Sequence, residues 1–182
     1  LFFAARKISI PSFDQNPTYG ILIKLKRVGK HGKIFNAYKL RTMHPYSEYL
    51  QEFLYNRNKL SKSGKIMNDF RLSPEAKILR KYWIDEMPML INILKGDMKI
   101  VGVRPISEHY FNLYDDDLKN RRKKNKPGFI PPYYVDLPQN FKEIMESEMK
   151  YFEQYDKNPL LTDIKYFFLA FKNVIFKGVR SN

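Results

Sequence analysis

The chain has 182 residues, enough for one domain with a buried core, and its 14 Phe and 13 Tyr argue against disorder of the whole chain. Lys and Arg number 33 against 19 acidic residues, and this net charge of +14 predicts an anionic partner: nucleic acid, an anionic membrane face or a phosphorylated substrate. The lack of cysteine excludes disulfides and thiolate metal sites, and no apolar run reaches the roughly 18 residues that a transmembrane helix needs.

An N-terminal segment and a β-hairpin come first. Residues 1–16 are interpreted as an extended lead-in, and the apolar start, Leu1 to Ala5, is compatible with the remnant of a removed upstream segment. Strands are predicted over 21–28 and 34–40, because apolar-rich runs flank the basic, glycine-containing turn 29–33.

The second strand leads to the cations Lys39 and Arg41. Charge alone favours a solvated hairpin face over a binding role for such residues. Beyond the hairpin, aromatic and leucine side chains recur at helical spacing and predict an amphipathic helix over 46–57. A polar, lysine-rich loop over 56–74 follows it.

The middle of the chain places an acidic pair at a break in the backbone. Ser73 and Pro74 have the residue types of a helix N-cap and first helical position. Asp85 and Glu86 then lie side by side, two residues before Pro88 and an apolar run. Either a new helix begins at about 85–87, or one longer helix is kinked at the proline, and both alternatives leave the carboxylates at a discontinuity.

Cations flank the acidic pair on both sides: Arg80, Lys81, Lys95, Lys99 and Arg104. A carboxylate that attacks or holds a metal, among cations that hold an anion, suits phosphate chemistry. An adjacent Asp–Glu pair is more often a surface feature than a catalytic one. Here the proline, the apolar flank and the Gly-Val-Arg-Pro sequence at 102–105 favour a site.

The C-terminal half is predicted to be mainly helical. A short strand over 97–101 precedes a helix over 106–125, whose basic end is either a solvated helix terminus or a nucleic-acid patch. A proline-rich loop and a polar helix over 140–157 follow. Asp163 is predicted to cap a last helix with a wide apolar face, which either packs on the core or lies in a membrane interface.

Several general motifs are missing from the sequence. It contains no Walker loop, no Rossmann fingerprint, no zinc-spaced His pair and no Ser nucleophile elbow. It also lacks the helix-turn-helix, zinc-finger and RNP patterns of nucleic-acid-binding modules. What remains is the acidic pair and its cations.

Eight longer stretches form an ordered set: 27–33 RVGKHGK, 38–43 YKLRTM, 69–71 DFR, 79–81 LRK, 85–90 DEMPML, 96–98 GDM, 101–105 VGVRP and 126–128 KPG. In this order and spacing they resemble the bacterial sugar transferases that initiate surface-polysaccharide synthesis, the monotopic phosphoglycosyl transferases. The resemblance covers roughly residues 17–180. Several motifs together make it far more specific than any one of them.

The resemblance implies a fold and a reaction. The fold is an α/β (α+β) class domain over 17–182, compact and mostly helical, with a small β-hairpin, short strands around the active site and an amphipathic C-terminal helix. The reaction moves a sugar-1-phosphate from a nucleotide diphosphate sugar to polyprenyl (undecaprenyl) phosphate and releases the nucleoside monophosphate. This is the first step of exopolysaccharide, capsule or O-antigen synthesis.

The resemblance also implies residue roles. Asp85 would be the nucleophile that forms an aspartyl-phosphosugar, and Glu86 would help to bind the cofactor Mg²⁺. We assign the binding of the substrate phosphates to Arg80 and Arg104, because a guanidinium can hold phosphate oxygens through two parallel hydrogen bonds. Lys39, Arg41 and Lys126 are assigned as helpers.

The implied partners are the nucleotide sugar, polyprenyl phosphate and a membrane surface, without nucleic acid, at the cytoplasmic face of the bacterial inner membrane. Attachment would be peripheral or monotopic, although the family's usual hydrophobic N-terminal helix is missing here or survives only as residues 1–5. Val103 stands where the family usually has a proline, and residues 129–132 stand where it often has Ile-Thr-Gly. Because the second region helps to define substrate choice, the resemblance does not identify the sugar. The alternatives are a basic nucleic-acid-binding module and a catalytically silent scaffold relative.

Overall fold

The computed structural model describes residues 20–44, 47, 71, 72 and 74–176. The predicted lead-in over 1–16 therefore lies outside the described residues. So do the predicted helix over 46–57 and the loop over 56–74, apart from a few single positions.

A β-hairpin opens the described part and confirms the predicted strands. β1 (Leu22–Val28) and β2 (Ile34–Leu40) pair antiparallel in a register that sets Lys24 opposite Tyr38. In the turn between them, His31 has a φ of 59° and Gly32 a φ of 72°, so two left-handed residues reverse the chain. Because alternate strand residues share a face, Lys39 projects on the same side as the fully buried Ala37.

Helices make up most of the rest. The elements in chain order are α1 (Pro74–Lys81), α2 (Met89–Leu94), β3 (Lys99–Val101), α3 (Glu108–Asn112), α4 (Asp116–Lys124), β4 (Gly128–Ile130), α5 (Tyr133–Asp136), α6 (Phe141–Lys157) and α7 (Pro159–Phe176). β3 and β4 pair in parallel and form a second two-stranded sheet. A mostly helical fold with two small sheets confirms the predicted α/β class.

Two apolar clusters hold these elements together. The larger joins β3, α4, α6 and α7 through Val101, Leu118, Tyr151, Phe152 and Tyr166, all of them buried. The smaller packs the hairpin onto α2 and the start of β3 through Ala37, Met89 and Met98. The hairpin is thereby fixed against the segment that carries the acidic pair.

The predicted helix over 106–125 is two helices. Ser107 caps α3 by accepting the N–H of Tyr110, and Asp115 caps α4 by accepting the N–H of Leu118 at 2.8 Å. A second N-cap in the middle of a run stops the first helix, because its side chain satisfies the backbone donors of a new one. The single-helix prediction was wrong at this point.

The prediction that Asp163 caps the last helix was also wrong. α7 begins four residues earlier at Pro159, and the side-chain oxygen of Asn158 accepts a backbone N–H at 3.2 Å. Asp163 instead accepts hydrogen bonds from Lys99 and Tyr151, which ties α7 to β3 and α6. The Asn-Pro pair is the usual N-cap and first-turn signal.

α7 is amphipathic, as predicted, but most of its apolar face does not pack on the core, and the opposite side of the helix does. Tyr166 and Ala170 are buried there. Another side exposes large apolar residues: Leu160, Leu161, Ile164, Phe168, Phe171, Ile175 and Phe176. None of the described helices has the length and hydropathy needed to cross a bilayer.

Candidate active site

The acidic pair lies where the backbone is broken. α1 ends, Trp83 takes a left-handed conformation with a φ of 60°, and a 3-10 turn, Ile84–Glu86, follows before Pro88 leads into α2. A left-handed residue other than glycine costs about 1–2 kcal/mol, so the surrounding packing must hold it. The predicted discontinuity is confirmed, and the kinked-helix alternative is wrong because α2 begins anew after Pro88.

Both carboxylates are buried. Asp85 and Glu86 each expose only 4% of their surface, which rules out a solvated surface pair. Buried charges are stable only when paired or hydrogen-bonded. The partners come from the hairpin and from the segment after β3: Oε1 of Glu86 accepts from Lys39 Nζ at 2.7 Å and from Arg104 Nη2 at 2.6 Å.

These cations keep Glu86 ionised. Burial by itself would raise the pKa of the Glu86 carboxyl, but the charges of Arg104 and Lys39 and their hydrogen bonds outweigh it and hold that pKa below its usual value. Burial alone would lower the pKa of the Arg104 guanidinium, and the oxygens of Tyr133 and Glu86 raise it instead. The site therefore holds the ionised Glu86 carboxylate between the side chains of Lys39 and Arg104.

Asp85 is bound more loosely than its neighbour. Its Oδ2 lies 3.4 Å from Lys39 Nζ, and its buried Oδ1 has no hydrogen-bond partner in the described part of the chain. The indole N–H of Trp83 is the other buried side-chain atom there without a partner. A buried acceptor without a partner costs about 1–3 kcal/mol. Such a cost is explained if Oδ1 is kept free to bond to something that enters the site.

Arg104 is fixed from several sides. Its Nη1 donates to the hydroxyl of Tyr133, and its backbone carbonyl accepts from Nη1 of Arg122 at 3.1 Å. The chain between β3 and Arg104 is held by two glycines that touch: a Cβ on Gly128 would lie 2.1 Å from the backbone nitrogen of Gly102. The glycines of the Gly-Val-Arg-Pro and Lys-Pro-Gly stretches thus allow the close strand pairing that places Arg104.

The predicted site residues fall into two groups. Asp85, Glu86, Lys39 and Arg104 come together in one cluster, in which both carboxylates are buried and both cations are partly buried. The other three, Arg80, Arg41 and Lys126, contact other groups.

Arg80 donates to the hydroxyl of Thr42 at 2.9 Å, three residues beyond Lys39 on the hairpin. Arg41 donates to the carbonyl of Gly20 at 3.0 Å. Lys126 lines a separate basic cavity next to the hairpin turn, together with Lys30, Lys33, Gly96 and Asp97.

Sequence analysis missed the tyrosines of this site. Tyr133 bonds to Arg104, its hydroxyl lies 3.4 Å from that of Tyr134, and the Tyr134 ring packs against Trp83 at a centroid distance of 4.8 Å. The two tyrosines follow directly after Pro131 and Pro132, both buried. The available signal in the sequence was a rigid pair of prolines followed directly by two aromatic residues.

The residues present fit a magnesium ion that is shared with a substrate. No group of three or more His, Cys, Asp or Glu that could hold a metal occurs among the described residues. Mg²⁺, however, is commonly held by one or two carboxylates together with substrate phosphates and water. Asp85 and Glu86 provide that kind of donor set, with one carboxylate oxygen unpartnered.

Comparison with known proteins identifies the family of the chain. The sequence profile of a family described as bacterial sugar transferase matches residues 8–177. The chain belongs to the bacterial sugar transferase family. The buried cluster of this sugar transferase lies inside the matched region.

Curated relatives carry related names. The chain is 33% identical over 153 residues, 82% of its length, to the galactosyl transferase CpsE of Streptococcus agalactiae, and 44% identical over 98 residues, 51% of its length, to the undecaprenyl-phosphate galactose phosphotransferase of Salmonella typhimurium. It is 32% identical over 125 residues, 63% of its length, to the UDP-N-acetylgalactosamine-undecaprenyl-phosphate N-acetylgalactosaminephosphotransferase of Aeromonas hydrophila. The matches span only 33%, 21% and 27% of those proteins.

Proposed function

We propose that this sugar transferase moves a sugar-1-phosphate from a nucleotide diphosphate sugar to polyprenyl (undecaprenyl) phosphate at the start of polysaccharide synthesis. The observation that carries the proposal is the buried Asp85, with an unpartnered oxygen, beside a carboxylate held by Lys39 and Arg104. The names of the relatives support the two substrate classes, since one combines UDP-N-acetylgalactosamine with undecaprenyl phosphate and another combines galactose with undecaprenyl phosphate.

The chemistry runs in two steps. Oδ1 of Asp85 attacks the phosphorus that carries the sugar, the bond from that phosphorus to the bridging oxygen breaks, and the nucleoside monophosphate leaves with the electron pair. A phosphate oxygen of the polyprenyl acceptor then attacks the same phosphorus. The aspartyl–phosphorus bond breaks, the carboxylate is restored, and the product is a polyprenyl diphosphate sugar.

The cations answer the main obstacle, which is the approach of a carboxylate to an anion. Lys39 lies within 3.4 Å of both carboxylates, and Arg104 presents a planar guanidinium that can hold a phosphate through parallel hydrogen bonds. Glu86 is the residue that would hold Mg²⁺. When bound, this ion would neutralise charge on the diphosphate and stabilise the leaving phosphate.

Binding of the acceptor places the enzyme at a membrane surface. Polyprenyl phosphate is a lipid, and α7 exposes a row of large apolar side chains that includes Phe168, Phe171 and Phe176. A helix of this kind can lie in the interface with basic residues toward lipid phosphates. We place the enzyme at the cytoplasmic face of the bacterial inner membrane, peripheral or monotopic, with no nucleic-acid partner.

The decisive experiment is to trap the covalent intermediate. The protein is incubated with Mg²⁺ and UDP-galactose or UDP-N-acetylgalactosamine, without acceptor, and intact mass is measured along with UMP release. We expect one added sugar phosphate, located on Asp85 by peptide mapping, and its loss when polyprenyl phosphate is added. Asp85→Asn should show neither adduct nor UMP release.

Two results would count against the proposal. Product formation without any adduct, in rapid-quench samples, would replace the covalent route by direct transfer. No UMP release and no product from a panel of nucleotide sugars would favour a silent relative, and salt-dependent oligonucleotide binding in its place would favour a nucleic-acid module.

A further inference from the structure

A cavity of about 290 Å³ is lined by Arg104 but by neither residue of the acidic pair. We call it the Arg27 cavity. Its lining includes two guanidinium groups and four aromatic rings, from Arg27, Arg104, Tyr110, Tyr114, Tyr133 and Phe141. Arg104 belongs to both places, since it donates to Glu86 and also lines this cavity.

The hairpin holds Arg27 in position. Its neighbour Val28 donates a backbone hydrogen bond to Ile106 at 3.0 Å, which fastens β1 to the chain just beyond Arg104. Burial lowers the pKa of the Arg27 guanidinium, and the positive charge of Arg104 lowers it further. Two guanidiniums that act on each other across one cavity favour an anion between them.

The acid in the cavity wall does not cancel this charge. Glu148 is buried, and both of its oxygens accept from Arg122, one of them at 2.8 Å. The hydroxyl of Tyr114 donates a third hydrogen bond to the same carboxylate, at 3.5 Å. Because Glu148 is matched by Arg122, it does not neutralise Arg27, and no salt bridge joins Arg27 to another acidic residue in the described part of the chain. Arg104 pairs with Glu86, but its guanidinium also lines the cavity, so Arg27 is the cation that is left to meet an anion from outside.

The aromatic rings suit a planar group. Tyr133 lies next to Arg104, and Tyr110, Tyr114 and Phe141 continue the wall away from it. Nucleobases stack on such rings, each at a gain of about 1–3 kcal/mol. The cavity volume is near the lower end of roughly 300–1,000 Å³ for ligand sites, which suits a single nucleoside better than a lipid chain.

We propose that the Arg27 cavity binds the nucleoside of the sugar nucleotide, with its phosphate between Arg27 and Arg104. The inference rests on the proposed function, and it adds where the nucleoside of the donor binds relative to Arg104. The base stacks on the tyrosines, the phosphate that leaves with it lies against Arg104, and the phosphate that carries the sugar extends toward Asp85.

The test uses exposed residues, so that the variants fold. Tyr110 is 55% exposed and lines the cavity, whereas Leu113 is 54% exposed on the same segment and does not line it. The affinity for UMP, and in parallel for CMP, AMP and GMP, is measured by calorimetric titration. Tyr110→Ala should weaken nucleotide binding about 5- to 100-fold, and Leu113→Ala should leave it unchanged. The KM for the nucleotide sugar should rise, while the KM for polyprenyl phosphate stays constant.

A second variant separates the base from the phosphate. Arg27→Gln, checked for folding by circular dichroism, should weaken UMP binding and reduce its salt dependence, while uridine binding stays constant. Tyr110→Ala should weaken uridine and UMP alike. This crossed pattern is not expected from general loosening of the fold.

The outcomes distinguish the cavity from the reaction. If the enzyme turns over but both variants bind nucleotides as the wild type does, the cavity assignment is wrong and the proposed function stands. If the variants lower binding of galactose 1-phosphate only, the cavity holds the sugar and the inference is overturned. If nucleotides bind and Tyr110→Ala weakens them, but no adduct forms on Asp85, the cavity is supported and the reaction is not.

Discussion

Two buried carboxylates in this molecule lie beside an arginine, and they are held in opposite ways. Glu148 on α6 accepts two hydrogen bonds from Arg122 on α4 and a longer one from the Tyr114 hydroxyl, and forms a closed pair inside the larger core. In the other cluster, Glu86 shares one oxygen between two cations, and neighbouring Asp85 keeps an oxygen without a partner.

The difference shows how a carboxylate that stabilises the fold differs from one that is available for a reaction. A fully satisfied pair gives rigidity and offers nothing to a ligand. An unsatisfied oxygen at a left-handed backbone break costs stability and is worth keeping only if a bond forms there. The two pairs are also connected, because Arg122 donates to the carbonyl of Arg104 and so helps to aim it.

The largest effect should come from Asp85→Asn. The amide keeps the size of the side chain but removes the nucleophile, so turnover should fall more than about a thousandfold. Thermal unfolding should change little, because Oδ1 has no partner to lose. Activity and melting curves of the variant check this, and substantial turnover would remove Asp85 from the role.

The closed pair should show the opposite pattern. Glu148→Gln leaves Arg122 buried without its counter-charge, which we expect to cost about 3–5 kcal/mol of unfolding free energy. The exposed Glu146 provides the matched control, since Glu146→Gln should be neutral. Urea unfolding measures both, and equal stabilities would show that burial does not distinguish the two glutamates.

Glu86 should affect both the magnesium dependence of activity and the stability of the fold at acid pH. Glu86→Gln should shift the magnesium titration to higher concentration, because the ionised oxygen that would hold the ion is lost. Since its pKa is lowered in the folded state, Glu86 adds stability above its unfolded value of 4.5, and that stability is lost as pH falls through the lower folded value.

Urea unfolding from about pH 7 to about pH 3 tests the acid part. The unfolding free energy of the wild type should fall in the acid range. That of Glu86→Gln should be lower at neutral pH and should fall by a smaller amount. An unchanged acid slope would mean that Glu86 has an ordinary pKa, and an unchanged magnesium titration would remove it from metal binding.

The smallest effect should come from Tyr133→Phe. It removes the hydroxyl that Arg104 contacts and nothing else, so we expect a loss of about 1 kcal/mol, or up to roughly tenfold in kcat/KM. Tyr82→Phe on an exposed side chain is the control. If both variants behave alike, Arg104 does not depend on Tyr133 for its position.

Local chemistry in the sequence predicted much of the fold. Apolar-rich runs on either side of a basic, glycine-containing turn predicted the hairpin, and a wide apolar face predicted the last helix. The errors lay at helix ends. A second cap at Asp115 divides the predicted helix over 106–125, and the Asn158–Pro159 pair starts α7 before Asp163. In both places an N-cap signal was present and was outweighed by periodicity.

The sequence by itself determined which residues are candidates: an acidic pair before a proline, cations on both sides and glycines at two fixed places. Only the tertiary structure decided which cations reach the acids, because Lys39 is 47 residues from Glu86 and Arg104 is 18. It also moved Lys126 to another cavity and brought Tyr133 to Arg104. The reason is physical: spacing along the chain fixes local conformation, whereas burial of a charge is settled by whatever distant groups the packed core brings beside it.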